Sequence, residues 1–203
     1  MPTNHYERSL RIRTTGWRSD LKKKGNQHRY EPTPYEALDA LFYHYDLEAD
    51  DVIVDIGSGK GRVPFYIHSR FQTVVKGIEM SEVLHEKALK NKRTFRQRIR
   101  RGEGNIRLKQ KFAESYEIKP EDSHFYLFNP FTVDVFQRVV ANILRSMEQH
   151  PRPVDLILYY PTESYRRFLA ESTPFVPVQD IRVPGAYEKD DHARFLIYRY
   201  DNR

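Results

Sequence analysis

The sequence predicts an α/β fold: a seven-stranded, mostly parallel sheet with helices on both faces and an antiparallel hairpin at its C-terminal end. Apolar, β-prone runs alternate with amphipathic helical patterns along most of the chain, which is typical of parallel β-α units. After five such units, two β-prone runs at about 176–183 and 193–200 follow one another without a helical pattern between them. A connection this short predicts antiparallel pairing. The length of 203 residues and the 39% hydrophobic content suit one domain with a substantial core.

The most informative stretch is residues 51–62, where an apolar strand ends in Asp55 and a loop with alternating glycines. Gly57, Gly59 and Gly61 allow the backbone to approach a ligand before a helix begins. The spacing does not match the phosphate-binding loop, which needs Gly-x-x-x-x-Gly-Lys-Ser/Thr. It also differs from the dinucleotide fingerprint Gly-x-Gly-x-x-Gly.

The pattern Asp55-x-Gly57-x-Gly59-x-Gly61 resembles the cofactor loop of class I, Rossmann-like S-adenosylmethionine-dependent methyltransferases. The resemblance implies that this loop, with Ser58, wraps the amino-acid end of the cofactor. It also implies that the Asp55 carboxylate serves the cofactor's ammonium group, directly or through water. The pattern alone leaves open a tight strand-to-helix turn that binds no ligand.

The next predicted strand, residues 73–79, ends in Glu79, about twenty residues after the glycine loop. A carboxylate at this position can accept hydrogen bonds from both ribose hydroxyls of an adenosine ligand. The same geometry serves NAD enzymes. Glu79 therefore predicts an adenosine-containing cofactor without distinguishing between the two, and Met80 would lie beside the adenine.

A Pro-Thr-Pro element begins the folded domain. Thr33 is a suitable N-cap residue, Pro34 suits the first helical position, and Glu36 completes a capping box. Pro-Thr-Pro followed by a short helix and the glycine loop resembles protein-lysine methyltransferases, both the histone-lysine enzymes of the telomeric-silencing type and the small mitochondrial enzymes. This resemblance implies that Thr33 borders the cofactor pocket, although its role as a cap would also explain it.

The remaining elements follow the same alternation. Residues 61–70 predict a helix that tolerates Pro64 in its first turn. Ser81 and Thr132 are predicted N-caps of later helices, and Pro161-Thr162 is predicted to open another helix. The stretch 106–112 reads as a more exposed strand, ending next to Glu114. Class I methyltransferases often carry an acidic or polar residue there, near the adenine amino group, and an exposed loop glutamate is equally plausible.

A buried aromatic run ends in Asn129-Pro130-Phe131. It resembles the Asn/Asp-Pro-Pro-aromatic motif of amino-group methyltransferases. The resemblance implies that the Asn129 side chain and a backbone carbonyl accept hydrogen bonds from the target nitrogen while Phe131 stacks on a planar substrate. One proline is missing from the motif here, which puts recognition of a nucleobase in doubt. The alternative is that Asn129 only caps the turn and Phe131 belongs to the core.

Charge and composition limit the possible partners. The chain carries 34 Lys and Arg against 28 Asp and Glu, a formal net charge of +6. The excess concentrates in residues 90–111 and in a basic extension, residues 1–30, ahead of a methyltransferase domain predicted at 31–203. Both stretches could contact phosphates, and a solvated basic face is an equally good explanation. Within the extension, Tyr6, Leu10, Trp17 and Leu21 are spaced for a short amphipathic helix.

Cysteine is absent, which excludes disulfides, thiolate metal sites and cysteine nucleophiles. The eight histidines are scattered, and we expect no metal site. No run approaches the length of a membrane span, and the first residues lack the apolar stretch of a secretion signal. We therefore expect a soluble, cytoplasmic protein.

Together these patterns predict an S-adenosylmethionine-dependent methyltransferase with a macromolecular acceptor. One hypothesis is N-methylation of a protein side chain, which the Pro-Thr-Pro element and the glycine loop favour. A second is methylation of an RNA base, which the basic segments and Asn-Pro-Phe favour. A third is a nucleotide-binding module that keeps the fold without turnover.

Overall fold

The computed structural model describes residues 2–16, 30–98 and 105–201, with the side chains of residues 5–16, 30–95 and 105–201. Its centre is one seven-stranded sheet with strand order β3-β2-β1-β4-β5-β7-β6. The strands are β1 (Val52–Ile56), β2 (Val74–Glu79), β3 (Ile106–Gln110), β4 (His124–Phe128), β5 (Val154–Tyr159), β6 (Val176–Arg182) and β7 (Arg194–Tyr200). The helices are α1 (Pro2–Leu10), α2 (Tyr35–His44), α3 (Arg62–Phe71), α4 (Glu82–Arg98), α5 (Val133–Gln149) and α6 (Glu163–Ser172).

The pairing of the strands confirms the predicted fold. Strands β1 to β5 pair in parallel, with β1 between β2 and β4. Strand β7 pairs antiparallel with both β5 and β6. Every residue of β1 is buried, as expected for a central strand covered on both faces.

Two hydrophobic clusters cover the two faces of the sheet. Alternate residues of a strand point to opposite faces, so Ile53 faces α2 and α3 whereas Val54 faces α5 and α6. Helix α5 carries an apolar stripe that faces the second cluster. Leu144 is partly buried against this cluster, and five other members are buried in it: Phe136, Val139, Val140, Ile143 and Met147. Helices therefore pack on both sides.

The start of the predicted basic extension packs on this domain. In α1 the Tyr6 ring stacks on the Tyr35 ring of α2 with 4.5 Å between centroids, and Leu10 is buried in the first cluster. A short helix at Tyr6 and Leu10 is thus confirmed, whereas Trp17 and Leu21 lie outside the described residues. The basic residues Arg96, Arg98, Arg100 and Arg101 likewise lie where no side chain is described. The division at residue 30 stays a prediction.

The predicted cap at Thr33 is wrong. Pro34 takes the N-cap position with extended backbone angles, and no side chain caps α2. The Thr33 hydroxyl instead forms a 2.8 Å hydrogen bond with the Tyr126 hydroxyl of β4, a partner that local sequence cannot reveal. Thr132 is the N-cap of α5 but makes no capping bond.

The predicted cap at Ser81 is confirmed, and so is the helix predicted to open at Thr162. The Thr162 hydroxyl accepts a hydrogen bond from the Tyr165 amide, and the Ser81 hydroxyl accepts one from the Leu84 amide, each at 3.4 Å. None of the helices described combines the length and apolar character needed to cross a bilayer.

Candidate active site

The carboxyl ends of β1, β2 and β4 meet at one edge of the sheet. In register, Ile56 lies beside both Ile78 and Leu127, so the loops that leave these three strands are neighbours. Parallel sheets bind ligands at this edge. The structure thereby brings together the predicted cofactor residues Asp55, Glu79 and the glycine loop with the Asn129-Pro130 turn.

Hydrogen bonds to β2 hold the glycine loop in place. The amides of Gly57 and Ser58 donate to the Ile78 carbonyl at 2.9 and 3.0 Å. Gly57 has φ 86°, and a Cβ there would lie 2.7 Å from Pro130 Cβ. Gly59 has φ 53°, and a Cβ there would lie 2.2 Å from Tyr30 Cε2. A side chain at either position would meet a neighbouring ring, and the backbone there lies in the left-handed region that favours glycine.

The Glu79 carboxylate is buried and holds the glycine loop through a hydrogen bond. One oxygen accepts the Gly59 amide at 2.9 Å, and the other accepts the Ser81 amide at 2.8 Å. Burial raises the pKa of Glu79, although the amides of Ser81, Gly59 and Met80 partly offset this effect. Each carboxylate oxygen can accept more than one hydrogen bond, so both retain capacity for ligand hydroxyls.

Asp55 is buried without a hydrogen-bond donor. Its side chain is 3% exposed, and it forms no hydrogen bond with the part of the chain that is described. Burial, and secondarily the nearby Glu79, raise the pKa of Asp55 well above its usual value. An unpaired buried carboxylate is costly, so this position favours a cationic ligand.

Asn129 occupies a strained turn at the end of β4. Its φ is 38°, and its Oδ1 is buried with no hydrogen-bond partner within the described ranges. Tyr160, which follows β5, also has a positive φ of 53°. Phe128 and Tyr159 are paired in register, so the two strained residues leave the sheet side by side. Strain of this kind clusters at functional sites.

Phe131 lies in the core. Its ring is buried in the second cluster, and its carbonyl accepts a hydrogen bond from the Tyr165 hydroxyl at 2.5 Å. Pro130 packs against Gly57 and so joins the two loops. Stacking of Phe131 on a substrate stays a prediction, which its burial does not favour.

Three predicted cofactor residues occupy different surroundings. Thr33 is buried beside Tyr126, which is the register partner of Asp55. Met80 directly follows Glu79 and is partly buried. Glu114 lies in a 3₁₀ turn facing α5, where its carboxylate is 3.4 Å from Arg138 Nη2. Thr33 and Met80 therefore lie near the glycine loop and the carboxylates of Asp55 and Glu79. The Glu114 side chain instead points towards α5.

Sequence reasoning missed several residues near the loop. The Tyr30 ring covers Gly59, and Lys60 Nζ lies 4.9 Å from the centre of that ring. Arg62 is buried and hydrogen-bonds to residues far away in the chain. Phe112, just after β3, is 56% exposed. A lysine and an arginine inside a glycine-rich turn are unusual, and that signal could have drawn attention to them.

Aromatic rings and carboxylates form a wall beside Asn129. The Tyr159 ring lies 4.7 Å from Phe128, centroid to centroid. Burial and then Glu31 raise the pKa of Tyr159 to about 12. The hydrogen bond to Asp190, followed by burial, raises the pKa of Tyr160 to about 12. This wall combines an apolar surface with negative charge.

One group of possible metal ligands occurs in the described part of the chain. Asp190, Asp191 and His192 offer ligand atoms within 4.8 Å of one another, and all three are exposed. Asp190 already bonds to Tyr160 and His192. The group has no buried ligand, and the expectation that the protein has no metal site stays a prediction.

Comparison with known proteins agrees with this geometry. A family model described as "Histone methylation protein DOT1" matches residues 6–141, which is more than half of the chain. The match includes the glycine loop, Glu79 and Asn129. No curated protein sequence is significantly similar to this chain.

Solved structures share the fold at low sequence identity. An RNA methyltransferase from Salinibacter ruber, in complex with S-adenosyl-L-homocysteine, is 19% identical with a TM-score of 0.55, over 84% of this chain and 93% of that chain. A geranyl diphosphate C-methyltransferase from Streptomyces coelicolor A3(2) is 13% identical with a TM-score of 0.53, over 83% and 79%. A protein in the NADB-Rossmann superfamily from Streptococcus agalactiae is 14% identical with a TM-score of 0.56, over 84% and 69%. These likenesses confirm the Rossmann-like fold.

Proposed function

The chain belongs to the Histone methylation protein DOT1 family, and from this membership we propose that it is an S-adenosylmethionine-dependent methyltransferase that modifies an amine nitrogen of a protein side chain. The observation that carries the proposal is the junction of the cofactor loop with the Asn129 turn. Pro130 contacts Gly57, so a cofactor held by the loop lies next to the unpaired oxygen of Asn129.

The residues present fit this cofactor. Asp55 is a buried carboxylate that lacks a donor, and the methionine ammonium group supplies one. Glu79 has spare acceptor capacity for the ribose hydroxyls. Ser58, Gly59 and Gly61 supply close backbone approach at the start of α3, whose positive dipole end suits the methionine carboxylate.

The adenine would then lie beyond Glu79, near Met80 and Phe112. The exposed Phe112 ring follows β3, and the Lys111 amide before it donates to the Glu79 carbonyl at 3.0 Å. An exposed apolar side chain at the ligand-binding edge suits a planar base better than solvent. A contact from Glu114 needs its carboxylate to turn away from Arg138. Thr33 supports the pocket through Tyr126.

Asn129 positions the acceptor. S-adenosylmethionine, when bound, supplies an electrophilic methyl group on a sulfonium sulfur. The Asn129 Oδ1 atom is buried and unpaired, so it is free to accept a hydrogen bond from the incoming nitrogen and to aim its lone pair. The rigid, strained turn keeps this atom in place. A lysine ammonium group has no lone pair, so it must first lose a proton to water. For the resulting neutral amine, catalysis by positioning and removal of water requires no strong base from the chain.

The wall beside Asn129 favours a protein amine as acceptor. A lysine side chain approaches as a cation on an apolar stem. The half-buried Tyr160 ring offers apolar surface, and Glu31 and Asp190 near it offer negative charge. The same carboxylates repel a phosphate backbone.

RNA base methylation is the second candidate. Arg107 and Lys109 alternate along β3 at the sheet edge and so point to one side, and Lys111 follows the end of the strand. The carboxylates of Glu117 and Glu121 lie among these cations, however, and weaken a phosphate-binding surface. We therefore rank this function second, and a nucleotide-binding module without turnover third.

Calorimetric titration with S-adenosylhomocysteine, with NADH as the control ligand, tests the cofactor. We expect micromolar binding that Asp55→Ala and Glu79→Gln each weaken at least about tenfold, or about 1.4 kcal/mol. The matched control is Glu82→Gln, an exposed carboxylate three residues after Glu79. Absence of binding to folded wild-type protein would overturn the proposal.

The acceptor is tested with methyl-labelled cofactor. We expect label to enter core histones or polylysine, and RNA to acquire none. Label in RNA that nuclease removes, with none in protein, would favour the second candidate. Cofactor binding with no transfer to either class of polymer would favour the module without turnover.

A further inference from the structure

A segment far from the glycine loop in sequence covers that loop in space. We call residues 11–16 the strap. The Tyr30 ring lies against Gly59, and the Tyr30 hydroxyl donates to the Thr14 carbonyl of the strap at 2.9 Å. Burial raises the pKa of Tyr30, in keeping with a ring enclosed between strap and loop. The cofactor loop is thus covered by the N-terminal part of the chain.

Glu7 and Arg62 form the first attachment of the strap. The Glu7 carboxylate accepts the amides of Thr14 and Thr15 at 2.8 and 2.9 Å, and their hydroxyls at 2.6 and 3.0 Å. Arg62 Nε donates to the Thr14 hydroxyl at 2.7 Å, and Nη1 donates to the Thr33 carbonyl at 2.9 Å. Arg62 Nη2 lies 3.4 Å from Glu7. A buried arginine thus joins α1, the strap and the segment before α2.

Asn91 and Lys60 form the second attachment. Asn91 Oδ1 accepts the Arg13 amide at 2.9 Å, while Nδ2 donates to the carbonyls of Arg13 and Lys60 at 3.1 and 2.9 Å. Lys60 Nζ donates to the Thr15 carbonyl at 3.0 Å and to that of Gly16. Helix α4, the loop and the strap are therefore tied together at one point.

The glycine loop therefore has two partners, the proposed cofactor and the strap. Its backbone borders the proposed cofactor site, whereas the cations on either side of Gly61, Lys60 and Arg62, bond to the strap and are buried there. If the strap is in place, the loop is already ordered, and a cofactor that binds it loses less conformational entropy. By reciprocity, bound cofactor then stabilises the closed strap.

We propose that the strap closes over the cofactor loop and controls cofactor release. The positioning residues that attach it are Glu7, Lys60, Arg62 and Asn91. The inference rests on the proposed function and adds a regulatory element to the same site. Opening the strap breaks the Glu7 and Asn91 contacts together, since both hold consecutive residues of the same short segment.

Hydrogen exchange in the wild-type protein tests the closure directly. We expect S-adenosylhomocysteine to slow exchange of the Thr14 and Thr15 amides, which donate to Glu7, by about tenfold. This measurement needs no variant, so it does not depend on how a substitution affects folding. Unchanged exchange of these two amides at saturating ligand would overturn the proposal.

Stopped-flow dissociation of S-adenosylhomocysteine tests the attachment. We expect Glu7→Ala to speed release about tenfold, or about 1.4 kcal/mol, with Glu7→Gln in between because it keeps one acceptor. Arg8→Gln is the control, since Arg8 is an exposed charge in the same helix. Equal release rates for Glu7→Ala and Arg8→Gln would contradict the inference yet leave cofactor binding established, whereas no binding to the wild type would overturn both.

Discussion

Two buried carboxylates near one edge of the parallel sheet are paired with cations, whereas a buried carboxylate and a buried amide oxygen at the other edge are not. Near the amino ends of the strands, the Asp122 carboxylate accepts a hydrogen bond from Lys76 Nζ at 2.6 Å. Arg199 donates two hydrogen bonds to the Asp155 carboxylate, at 2.6 and 2.7 Å. At the carboxyl ends, Asp55 has no donor among the described residues, and Asn129 Oδ1 has no partner there. The paired edge stabilises the fold, and the unpaired edge is left to be completed by a ligand.

This difference separates stability from function along a single sheet. A buried charge with its partner in place is expensive to break, whereas a buried charge without one already destabilises the free protein. Substitutions at the two edges should therefore change stability in opposite directions. The measurements below test that contrast.

The largest effect is expected at the paired edge. Asp122→Ala leaves Lys76 buried without this carboxylate and also removes the acceptor of the Tyr116 hydroxyl. We expect the free energy of unfolding, measured with urea, to fall by about 3–5 kcal/mol. Glu121→Gln, which alters the half-exposed partner of the same lysine, should cost at most about 1 kcal/mol. Equal losses for the two variants would contradict the role assigned to burial.

At the unpaired edge, Asn129→Ala should act on turnover. Removing the acceptor oxygen leaves the incoming nitrogen unaligned, so we expect kcat to drop about 100-fold, or about 2.7 kcal/mol. Affinity for S-adenosylhomocysteine should change less than about twofold. Asn142→Ala, in α5, is the control in the same activity assay. A variant that keeps wild-type kcat would remove Asn129 from the transfer site.

Asp55→Asn should stabilise the free protein while it weakens cofactor binding. Burial raises the pKa of Asp55 in the folded state, so the ionised side chain destabilises the fold above that pKa. Stability of the wild type therefore rises as pH falls through the folded pKa. The gain in Tm from Asn should be largest near pH 8 and shrink towards the usual Asp pKa of about 4.

Thermal unfolding between about pH 8 and pH 5 checks this expectation. Asp46→Asn, at an exposed position, is the control and should show no such trend. A lower Tm for Asp55→Asn at neutral pH would mean that the carboxylate stabilises the free protein after all.

The smallest effect on stability is expected at the buried hydrogen bond between Thr33 and Tyr126, which supports the site from within the core. Thr33→Val leaves the Tyr126 hydroxyl without its partner, and we expect a loss of about 1 kcal/mol in urea unfolding. Replacing both partners, in Thr33→Val with Tyr126→Phe, should recover most of that loss, because no buried hydroxyl remains unpaired. If the double variant is no more stable than the single one, the hydrogen bond is not the cause.

Much of the candidate site could be predicted because its signals are local. The glycine spacing, the carboxylates at the ends of two strands and the Asn-Pro turn all occur within short stretches. Their meeting at one edge follows from parallel strand order, and the structure confirms it. Thr33 and Phe131 show the limit. Their neighbours, Tyr126 and Tyr165, are 93 and 34 residues away, so neither the lost cap nor the buried ring has a local signal.

The sequence by itself determined the order of strands and helices, the closing hairpin and the position of the glycine loop, because periodicity and turn chemistry act over a few residues. Only the tertiary structure decided that Arg62 binds Thr14 across 48 residues and that Tyr30 covers Gly59. Such contacts depend on which side chains are buried together after the chain has folded. Most buried polar atoms find partners there. Among the described residues, the buried Asp55 carboxylate and the unpaired Asn129 Oδ1 lie together at the candidate active site.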